Sequence, residues 1–390
     1  MSDAARPVVY FHIGAPKTGT TYLQHILHEN RAALREAGLS YPGTLASHFF
    51  ASQDLRGSPF RGFTDPHVRG SWRRLVAETR TWPRRSIISH ESFGTATAAQ
   101  IDQALADLSF AEVHLVYTAR DLARQLPAVW QERVKNRSVQ SYGDFLASIR
   151  SGRGSADRGV RHFWNSHGIV RVLRRWGRDV PPERIHIVTV PPPQAERTEL
   201  WRRFATLVGV DPDAYDTNVP RGLNASLGAA DAAVLRRFNA AIADLDVPWP
   251  AYAAVFKQNI APSLSSRSER IEVPKDAYDW AVAWSKRTVA ELCQYGYDVV
   301  GDLADLVPST RPTGVDPDNV PPEQFAEAAL AGMVSLVEMV MDSPLAATAV
   351  RRSQRGAVAR KLEELAYRSR AVGAIRDAHR RWRGGPAPGP

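Results

Sequence analysis

The sequence has one cysteine, Cys293, and no long uncharged apolar run. A single cysteine excludes an intrachain disulfide scaffold. The most apolar stretch, Phe325 to Met341, is interrupted by Glu327 and Glu338 and falls short of the roughly 18 uninterrupted apolar residues typical of a membrane span. The first seven residues lack the basic and small-residue pattern of a secretory signal. These absences predict a cytoplasmic protein.

Lysine is also scarce, and the net charge is concentrated at one end of the chain. Of 50 basic residues only six are lysines, and the formal net charge is +9. Residues 351–390 contain 11 basic and 3 acidic side chains, so nearly all of that excess lies there. A nucleic-acid-binding fold would be expected to have a basic folded body. The distribution therefore argues against nucleic acid as a partner.

With 390 residues and 44% hydrophobic content, the chain is long and apolar enough to bury a sizeable core. Short branched or aromatic runs predict strands, and stretches with apolar residues at helical spacing predict helices between them. This alternation predicts an α/β fold with a doubly wound, mostly parallel sheet covered on both faces. The predicted strands are 8–13, 86–89, 113–117 and 184–190; the predicted helices between and after them lie around 71–82, 97–108, 142–150, 161–178 and 197–208.

The pattern predicts three regions: an α/β domain over 1–307, a proline-rich linker over 308–322 and a basic helical extension with a frayed tail over 323–390. For the extension we favour a solvated helix packed on the body. The alternative is weak contact with an anionic membrane surface, which a basic amphipathic helix can make.

The segment from Gly14 to Thr21 joins the first predicted strand to a helix, where backbone N–H groups and the positive end of the helix can hold a phosphate. Gly14, Gly19 and Thr21 match the spacing of the nucleoside-triphosphate loop, but Thr20 occupies the lysine position. The lysine, Lys17, lies inside the loop instead. There it can neutralise a leaving oxygen directly, and we expect no metal.

Residues 16–21, Pro-Lys-Thr-Gly-Thr-Thr, resemble the 5′-phosphosulfate-binding loop of the sulfotransferase family, including its bacterial members. The resemblance implies the donor 3′-phosphoadenosine 5′-phosphosulfate and a P-loop-like phosphosulfate loop on a doubly wound sheet. It implies that Lys17 stabilises the leaving oxygen. It also implies donor contacts from the rest of the loop, namely Pro16, Thr18, Gly19, Thr20 and Thr21.

The family's second element is a strand that ends in an arginine and is followed by a helix, which together bind the 3′-phosphate of the donor. Residues 116–121, Val-Tyr-Thr-Ala-Arg-Asp, resemble it and place Arg120 in that role. Eight residues later the family usually has a serine, where this chain has Ala128. Gln125 and Gln131 are the candidates to replace it. The alternative is that Arg120 is an ordinary ion-pair partner.

Sulfuryl transfer also needs a base near the acceptor hydroxyl. His90 and Glu91 directly follow the second predicted strand, at the edge of the sheet where the loop after the first strand should also lie. We favour Glu91, which would need its pKa raised by burial, with His90 as the alternative or as its helper. His12, inside the first strand, is expected to be a packed core residue.

These residues predict a metal-independent sulfotransferase whose acceptor is a hydroxyl of a small molecule, a glycan or a lipid-linked glycan. Two alternatives stay open at this point. One is a P-loop nucleotide kinase or NTPase with a degenerate loop, which would need Mg²⁺. The other is a donor-binding protein without catalysis, which the Ala128 departure favours.

Overall fold

The computed structural model describes residues 6–59, 62–152, 156–220, 226–264 and 268–342. The chain divides into two compact units, Met1–Ala329 and Leu330–Pro390. The first contains the sheet and every candidate site residue. The predicted basic segment beyond residue 342 lies outside the described residues.

The first unit is built on one six-stranded sheet in which every strand pairing is parallel. The strand order is β2-β3-β1-β4-β5-β6. The predicted α/β class is therefore confirmed, and the sheet is consistent with doubly wound topology. The strands are β1 Val8–His12, β2 Leu39–Ser40, β3 Arg85–Ser89, β4 Glu112–Ala119, β5 Ile185–Thr189 and β6 Asp298–Val300.

Helices connect the strands and continue after them. The α-helices of the described residues are α1 Thr20–Glu29, α2 Arg31–Glu36, α3 Leu45–Arg56, α4 Ser71–Arg80, α5 Ala98–Asp107, α6 Leu122–Lys135, α7 Tyr142–Arg150, α8 Arg158–His167, α9 Ile169–Trp176, α10 Glu199–Val208, α11 Ala229–Ala241, α12 Trp249–Tyr252, α13 Ala261–Leu264, α14 Lys275–Leu292 and α15 Pro322–Met341. A π-helical turn, Ala253–Ile260, joins α12 to α13, and 3₁₀ turns occupy Glu91–Thr95, Pro182–Arg184, Pro212–Ala214 and Leu303–Leu306.

The single helix predicted over 161–178 is two helices, α8 and α9, which meet at Gly168. A Cβ at Gly168 would lie 2.6 Å from the carbonyl oxygen of Trp164. The close approach of the two helices at that point therefore requires glycine. Helical periodicity continues across the break, which is why the pattern alone merged the two.

The sheet is buried on both faces, as the continuous apolar character of its strands predicts. One face packs Phe11, Leu115 and Ile187 against helices that include α9, where Trp176 is fully buried. The other face packs Ile87, Val116 and Val188 against α1 and α10. Alternate residues of β4 and β5 thus point to opposite cores, and burying each large side chain contributes roughly 1.5–3 kcal/mol.

The strand order places the candidate site. From β1 the chain builds β2 and β3 on one side and β4, β5 and β6 on the other, so the order reverses between β1 and β4. Ligands of open α/β sheets bind at such a reversal, outside the carboxyl ends of the strands. Ala15 N–H donates to Thr118 O at 2.8 Å, and His90 N–H donates to His12 O at 3.1 Å. The loops after β1, β3 and β4 therefore meet at one edge.

The segment predicted as a linker is tied to the first unit. The Asp318 carboxylate accepts hydrogen bonds from the N–H groups of Tyr142 and Gly143, at 3.1 and 2.7 Å. Val315 forms an isolated parallel bridge with Ile271. The boundaries 1–307, 308–322 and 323–390 stay a prediction.

Among the described residues, α15 is the one helix whose length and composition would allow it to cross a membrane, with a mean hydropathy of 1.3 over its most apolar stretch. By these two measures Glu327 and Glu338 do not disqualify it, contrary to the expectation from the sequence. Its large apolar side chains are exposed at Leu330, Met333, Val334, Val337, Val340 and Met341. Cytoplasmic location stays a prediction.

Candidate functional site

The loop after β1 is fastened to β4 and opens onto α1. Thr118 N–H donates to Gly14 O at 2.6 Å, and its hydroxyl donates to the same oxygen at 2.9 Å. Gly19, with φ of 85°, is the N-cap of α1 and has no side chain to satisfy the first backbone N–H groups. A Cβ there would lie 2.4 Å from Leu200 Cδ2, so both conformation and space favour glycine. The amino end of α1 is consequently available to an anion.

Lys17 is held in an unusual backbone conformation. Its φ of 64° lies in the left-handed region, which costs a residue other than glycine about 1–2 kcal/mol. Its ammonium lies 2.6 Å from Glu132 Oε2 on α6. Strain of this kind persists where the surrounding structure enforces it, as at ligand sites. The loop therefore directs Lys17 toward a carboxylate on α6 that the sequence motifs did not predict as part of the site.

Glu132 is shared by two lysines. Lys257, on the π-helical turn, donates to Glu132 Oε1 at 2.8 Å and to Asn136 Oδ1 at 2.9 Å. Asn136 Nδ2 also donates to Glu132 Oε1, at 3.1 Å. Burial alone would raise the pKa of Glu132, but Lys17 and Lys257 hold it well below its ordinary value. Glu132 is thus a permanent anion between two ammonium groups.

Lys135, one turn along α6 from Glu132, is half-buried. Burial, assisted by the like charge of Lys17, lowers its pKa to about 8. Two of the six lysines in the sequence, Lys17 and Lys257, thus contact Glu132, and the charge of Glu132 acts on the pKa of a third, Lys135. The one hint of this arrangement in the sequence is that lysine is scarce, so that each lysine is a candidate for a specific role.

The threonines of the loop play different parts. The Thr18 side chain is fully buried, and its hydroxyl donates to Ala15 O and is 2.6 Å from the Thr118 hydroxyl. It stabilises the loop from within, so its predicted contact with a ligand would have to come from its backbone. Thr20 is buried and Thr21 is half-buried, both in the first turn of α1. Their hydroxyls stay predicted phosphosulfate ligands.

Glu91 lies directly against the loop. A Cβ built on Gly14 would be 3.5 Å from the Glu91 carbonyl oxygen, which is a close approach of the two backbones. Burial alone would raise the pKa of Glu91, but three effects outweigh it, so the net pKa is lowered: the charge of His90 when that ring is protonated, the backbone N–H of Glu91 itself, and the charge of Lys17. The direction is opposite to the rise that a glutamate base was predicted to need. Glu91 is therefore ionised at neutral pH, the form in which a carboxylate accepts a proton.

His90 is the N-cap of the 3₁₀ turn Glu91–Thr95, because its Nδ1 accepts a hydrogen bond from Ser92 N–H at 3.1 Å. Burial lowers the pKa of His90, which favours the neutral ring that this acceptor role requires. Capping occupies one ring nitrogen and orients Glu91, the first residue of the turn. Whether His90 is the base or the helper of Glu91 stays a prediction.

Arg120 fastens the loop on its other side. Its guanidinium donates to Lys17 O at 3.2 Å, and its Nε is buried without a hydrogen-bond partner in the described structure. Burial lowers the pKa of Arg120 to about 10, so it stays charged at neutral pH. It lines a cavity of about 20 Å³, with Gln125 and His167, which has room for about one water molecule. A 3′-phosphate at Arg120 therefore requires this cavity to open.

Of the two glutamines proposed to replace the missing serine, Gln125 reaches the loop. Its Nε2 donates to Pro16 O at 3.2 Å and to His167 Nδ1 at 2.9 Å. Gln131 is buried on α6. Gln125 thus supports the loop backbone beside Arg120. It lies on α6 three residues before Ala128, the position at which the family usually has a serine.

Three buried histidines predict how stability depends on pH. His12 bonds Ser89 and Thr118 through its two ring nitrogens, and burial lowers its pKa to about 4. Burial likewise lowers the pKa of His48 and of His167 to about 3. An unfolded histidine titrates near about 6.5, so the unfolded chain takes up these protons first as the pH falls.

We expect the free energy of unfolding to be largest above about pH 6.5 and to fall as the pH is lowered toward about 4, by on the order of a few kcal/mol for each histidine. Urea unfolding measured at several pH values checks this dependence. NMR titration of the ring protons checks its cause. Buried rings that titrate near the unfolded value, or a free energy that rises on acidification, would contradict the prediction.

Comparison of the chain with family models, with curated proteins and with solved structures finds no match. The resemblance to sulfotransferases accordingly depends on residues 16–21 and 116–121, and function is argued from the site alone.

Proposed function

We propose that this protein transfers a sulfuryl group from 3′-phosphoadenosine 5′-phosphosulfate to an acceptor hydroxyl. The single observation that supports this best is the pairing of opposite charges about one loop. Lys17 lies within the loop that opens onto the amino end of α1, and ionised Glu91 packs against Gly14 of the same loop. The first arrangement suits a leaving phosphate, and the second suits an attacking hydroxyl.

In the proposed reaction the acceptor oxygen attacks sulfur in line with the departing 5′-phosphate oxygen. The new O–S bond forms as the bond from sulfur to that phosphate oxygen breaks, and the electron pair of the broken bond stays on the phosphate. Glu91 takes the acceptor proton. Lys17 and the N–H groups at the start of α1 stabilise the negative charge that grows on the leaving oxygen.

Donor binding requires an exchange of partners at Lys17. Its ammonium must leave Glu132 Oε2, 2.6 Å away, and turn to the phosphosulfate. Glu132 still has Lys257 at 2.8 Å, so the exchange does not strand a buried carboxylate. Arg120 is assigned the 3′-phosphate, for which its unpartnered Nε and stable positive charge are suited.

Calorimetry with adenosine 3′,5′-bisphosphate, the product left by the donor, tests the proposal. We expect binding that does not depend on Mg²⁺ and is tighter than the binding of ATP. Release of this bisphosphate from the donor, followed with phenolic, sugar and amine acceptors, then tests transfer. Tight binding of ATP that requires Mg²⁺ would favour a kinase or NTPase. Tight bisphosphate binding without turnover would favour a donor-binding protein that lacks catalysis.

A further inference from the structure

The first unit has a cavity of about 190 Å³ that the proposed reaction does not use. One wall of this cavity is formed by α11, and the other is formed by the segment that leads into α15. None of the described residues that line it belongs to the loops after β1, β3 and β4. The cavity is therefore separate from the site of the proposed sulfuryl transfer.

The wall on α11 has two positive charges. It consists of Ala233 and of two residues about one turn further along, Arg236 and Arg237. Residues three and four positions apart are neighbours on the surface of a helix, so both arginines lie beside Ala233. Ala233 is buried, and its side chain ends at Cβ, so it takes up little of the space between them. Two guanidinium groups thus border one cavity.

Arg236 has few acceptors within the protein. Its Nη2 lies 3.4 Å from Asp318 Oδ1, and its Nε is buried with no hydrogen-bond partner among the described residues. The side chain is only 21% exposed, so water has limited access to its five N–H donors. Buried donors without an acceptor are unfavourable and call for an explanation. An oxyanion in the cavity would supply this guanidinium with acceptors.

Asp318 is a weak counter-ion for Arg236, because its carboxylate also binds another helix. Its Oδ1 accepts a hydrogen bond from Tyr142 N–H at 3.1 Å, and its Oδ2 accepts one from Gly143 N–H at 2.7 Å. These are the first two residues of α7, so the carboxylate faces the positive end of that helix. Both contacts are shorter than the 3.4 Å to Arg236. Arg236 can therefore bind a second anion without leaving Asp318 unpartnered.

Arg237 is held at the cavity by an aromatic ring. The carbon at the centre of its guanidinium lies 4.5 Å from the centre of the Phe325 ring, which also lines the cavity. Within the part of the chain that the structure describes, Arg237 has no hydrogen bond or ion pair. Stacking on a ring face orients a guanidinium and leaves its N–H donors free. Those donors are available to a ligand.

The wall opposite the arginines is apolar and held in place. Its apolar residues are Pro317, Val320, Pro322 and Phe325. The turn that contains them is fixed by the Asp316 carboxylate, which accepts hydrogen bonds from Asp318 N–H at 3.0 Å and from Asn319 Nδ2 at 2.6 Å. The prolines restrict the backbone further. Little order has to be gained when a ligand binds against such a wall.

The volume of the cavity sets the size of that ligand. A water molecule occupies about 30 Å³ in the liquid, so 190 Å³ corresponds to roughly six of them. This is more than one inorganic oxyanion fills, and less than the roughly 300 Å³ at which sites for drug-sized ligands begin. The ligand is therefore a small organic molecule, with a negative group for the arginines and one apolar group for the opposite wall.

We infer that Arg236 and Arg237 bind the oxyanion of such a molecule, a carboxylate or a phosphate ester, and that its apolar group packs against Val320 and Phe325. Guanidinium groups bind both kinds of oxyanion with paired hydrogen bonds. This site is independent of the proposed sulfuryl transfer, because none of the lining residues has a part in that reaction.

Ligand-detected NMR with the full chain, at constant ionic strength, tests the site. The probes are benzoate, phenyl phosphate, inorganic phosphate and benzamide, which has the shape of benzoate without its charge. We expect benzoate or phenyl phosphate to bind about tenfold more tightly than benzamide, since hydrogen bonds to a charged group are the strong ones. Inorganic phosphate, which has no apolar group, should bind as weakly as benzamide. The tighter of the two organic anions identifies the preferred negative group.

Variants locate the binding. Arg236→Met and Arg237→Met should each weaken the bound anion about tenfold and leave the affinity for benzamide unchanged. Arg287→Met, at an exposed position of α14, is the matched control and should preserve the affinity for the anion. Urea unfolding shows whether each variant folds. Arg237 is exposed, so its replacement tests the site even where Arg236→Met is unstable.

Equal affinities for benzamide and both organic anions would overturn the inference. Anion binding that survives Arg237→Met would overturn it as well. Displacement of the anion by adenosine 3′,5′-bisphosphate would do the same, because the anion would then occupy the loop of Lys17. Calorimetry with the bisphosphate alone tests the proposed function separately, and failure of the bisphosphate to bind would overturn the sulfuryl transfer while leaving the arginine site in place.

Discussion

Replacing Lys17 with methionine is expected to lower sulfuryl transfer by a factor of about 10²–10³, the usual loss when one group that stabilises a developing oxyanion is removed. Methionine keeps a chain of similar shape and removes the charge. Lys17 is the one basic residue of the loop between Gly14 and Thr21. The nearby Arg120 donates to the Lys17 carbonyl oxygen on the other side of the loop, so it does not replace the Lys17 charge at the start of α1.

The fold should tolerate this change. Glu132 keeps Lys257 as a partner at 2.8 Å, and a partly exposed ion pair contributes about 1 kcal/mol or less. Turnover is measured by release of adenosine 3′,5′-bisphosphate, and folding by urea unfolding. Lys275→Met, on the exposed face of α14, is the control and should retain both activity and stability. Comparable turnover by Lys17→Met would remove Lys17 from the mechanism.

Much of the fold could be predicted because its main strands are buried and rich in β-branched residues. β1, β3, β4 and β5 were predicted with ends within about two residues, the usual uncertainty of element boundaries. β2 and β6 could not be predicted. Leu39–Ser40 is two residues long, and Asp298–Val300 lies at the edge of the sheet with little burial, so neither has a pattern that distinguishes it from a loop.

The candidate site divides in the same way. That the loops containing Lys17, Glu91 and Arg120 would meet follows from topology, because parallel strands bring their carboxyl ends to one edge. The pairing of Lys17 with Glu132 does not follow, since it spans 115 residues and depends on how α6 crosses the loop. The contact between Lys257 and Glu132 could not be predicted either, because it joins residues that are 125 positions apart in the sequence.

The electrostatics of the base show a related limit. From the sequence, Glu91 was predicted to lie at the edge of the sheet and to need a pKa raised by burial. Burial does act in that direction, but the sign is reversed by the charge of His90 when protonated, one residue away, by the backbone N–H of Glu91, and by the charge of Lys17, which the fold brings near. A pKa reflects all the charges around a group. Only the first of these neighbours could be known from the sequence.

Replacing Glu132 with glutamine is expected to change donor affinity and stability in opposite directions. Under the proposed function Glu132 and the phosphosulfate compete for the Lys17 ammonium, which lies 2.6 Å from Glu132 Oε2. Glutamine keeps the shape and removes the competing charge, so we expect adenosine 3′,5′-bisphosphate to bind about tenfold more tightly, or about 1.4 kcal/mol. Without the carboxylate, Lys17, Lys135 and Lys257 repel one another, and the free energy of unfolding should fall by about 1–3 kcal/mol.

Calorimetry and urea unfolding of the same preparation measure the two effects of Glu132→Gln. Asp279→Asn is the matched control, because it removes a carboxylate from the exposed pair with Lys275 and should change neither quantity appreciably. Added salt should diminish both effects, since screening weakens the repulsion among the lysines and the attraction to the nucleotide. A loss of bisphosphate affinity together with stability would contradict the competition. It would mean that Glu132 holds Lys17 in the position that the donor needs, so that the ion pair prepares the loop for binding and does not have to break.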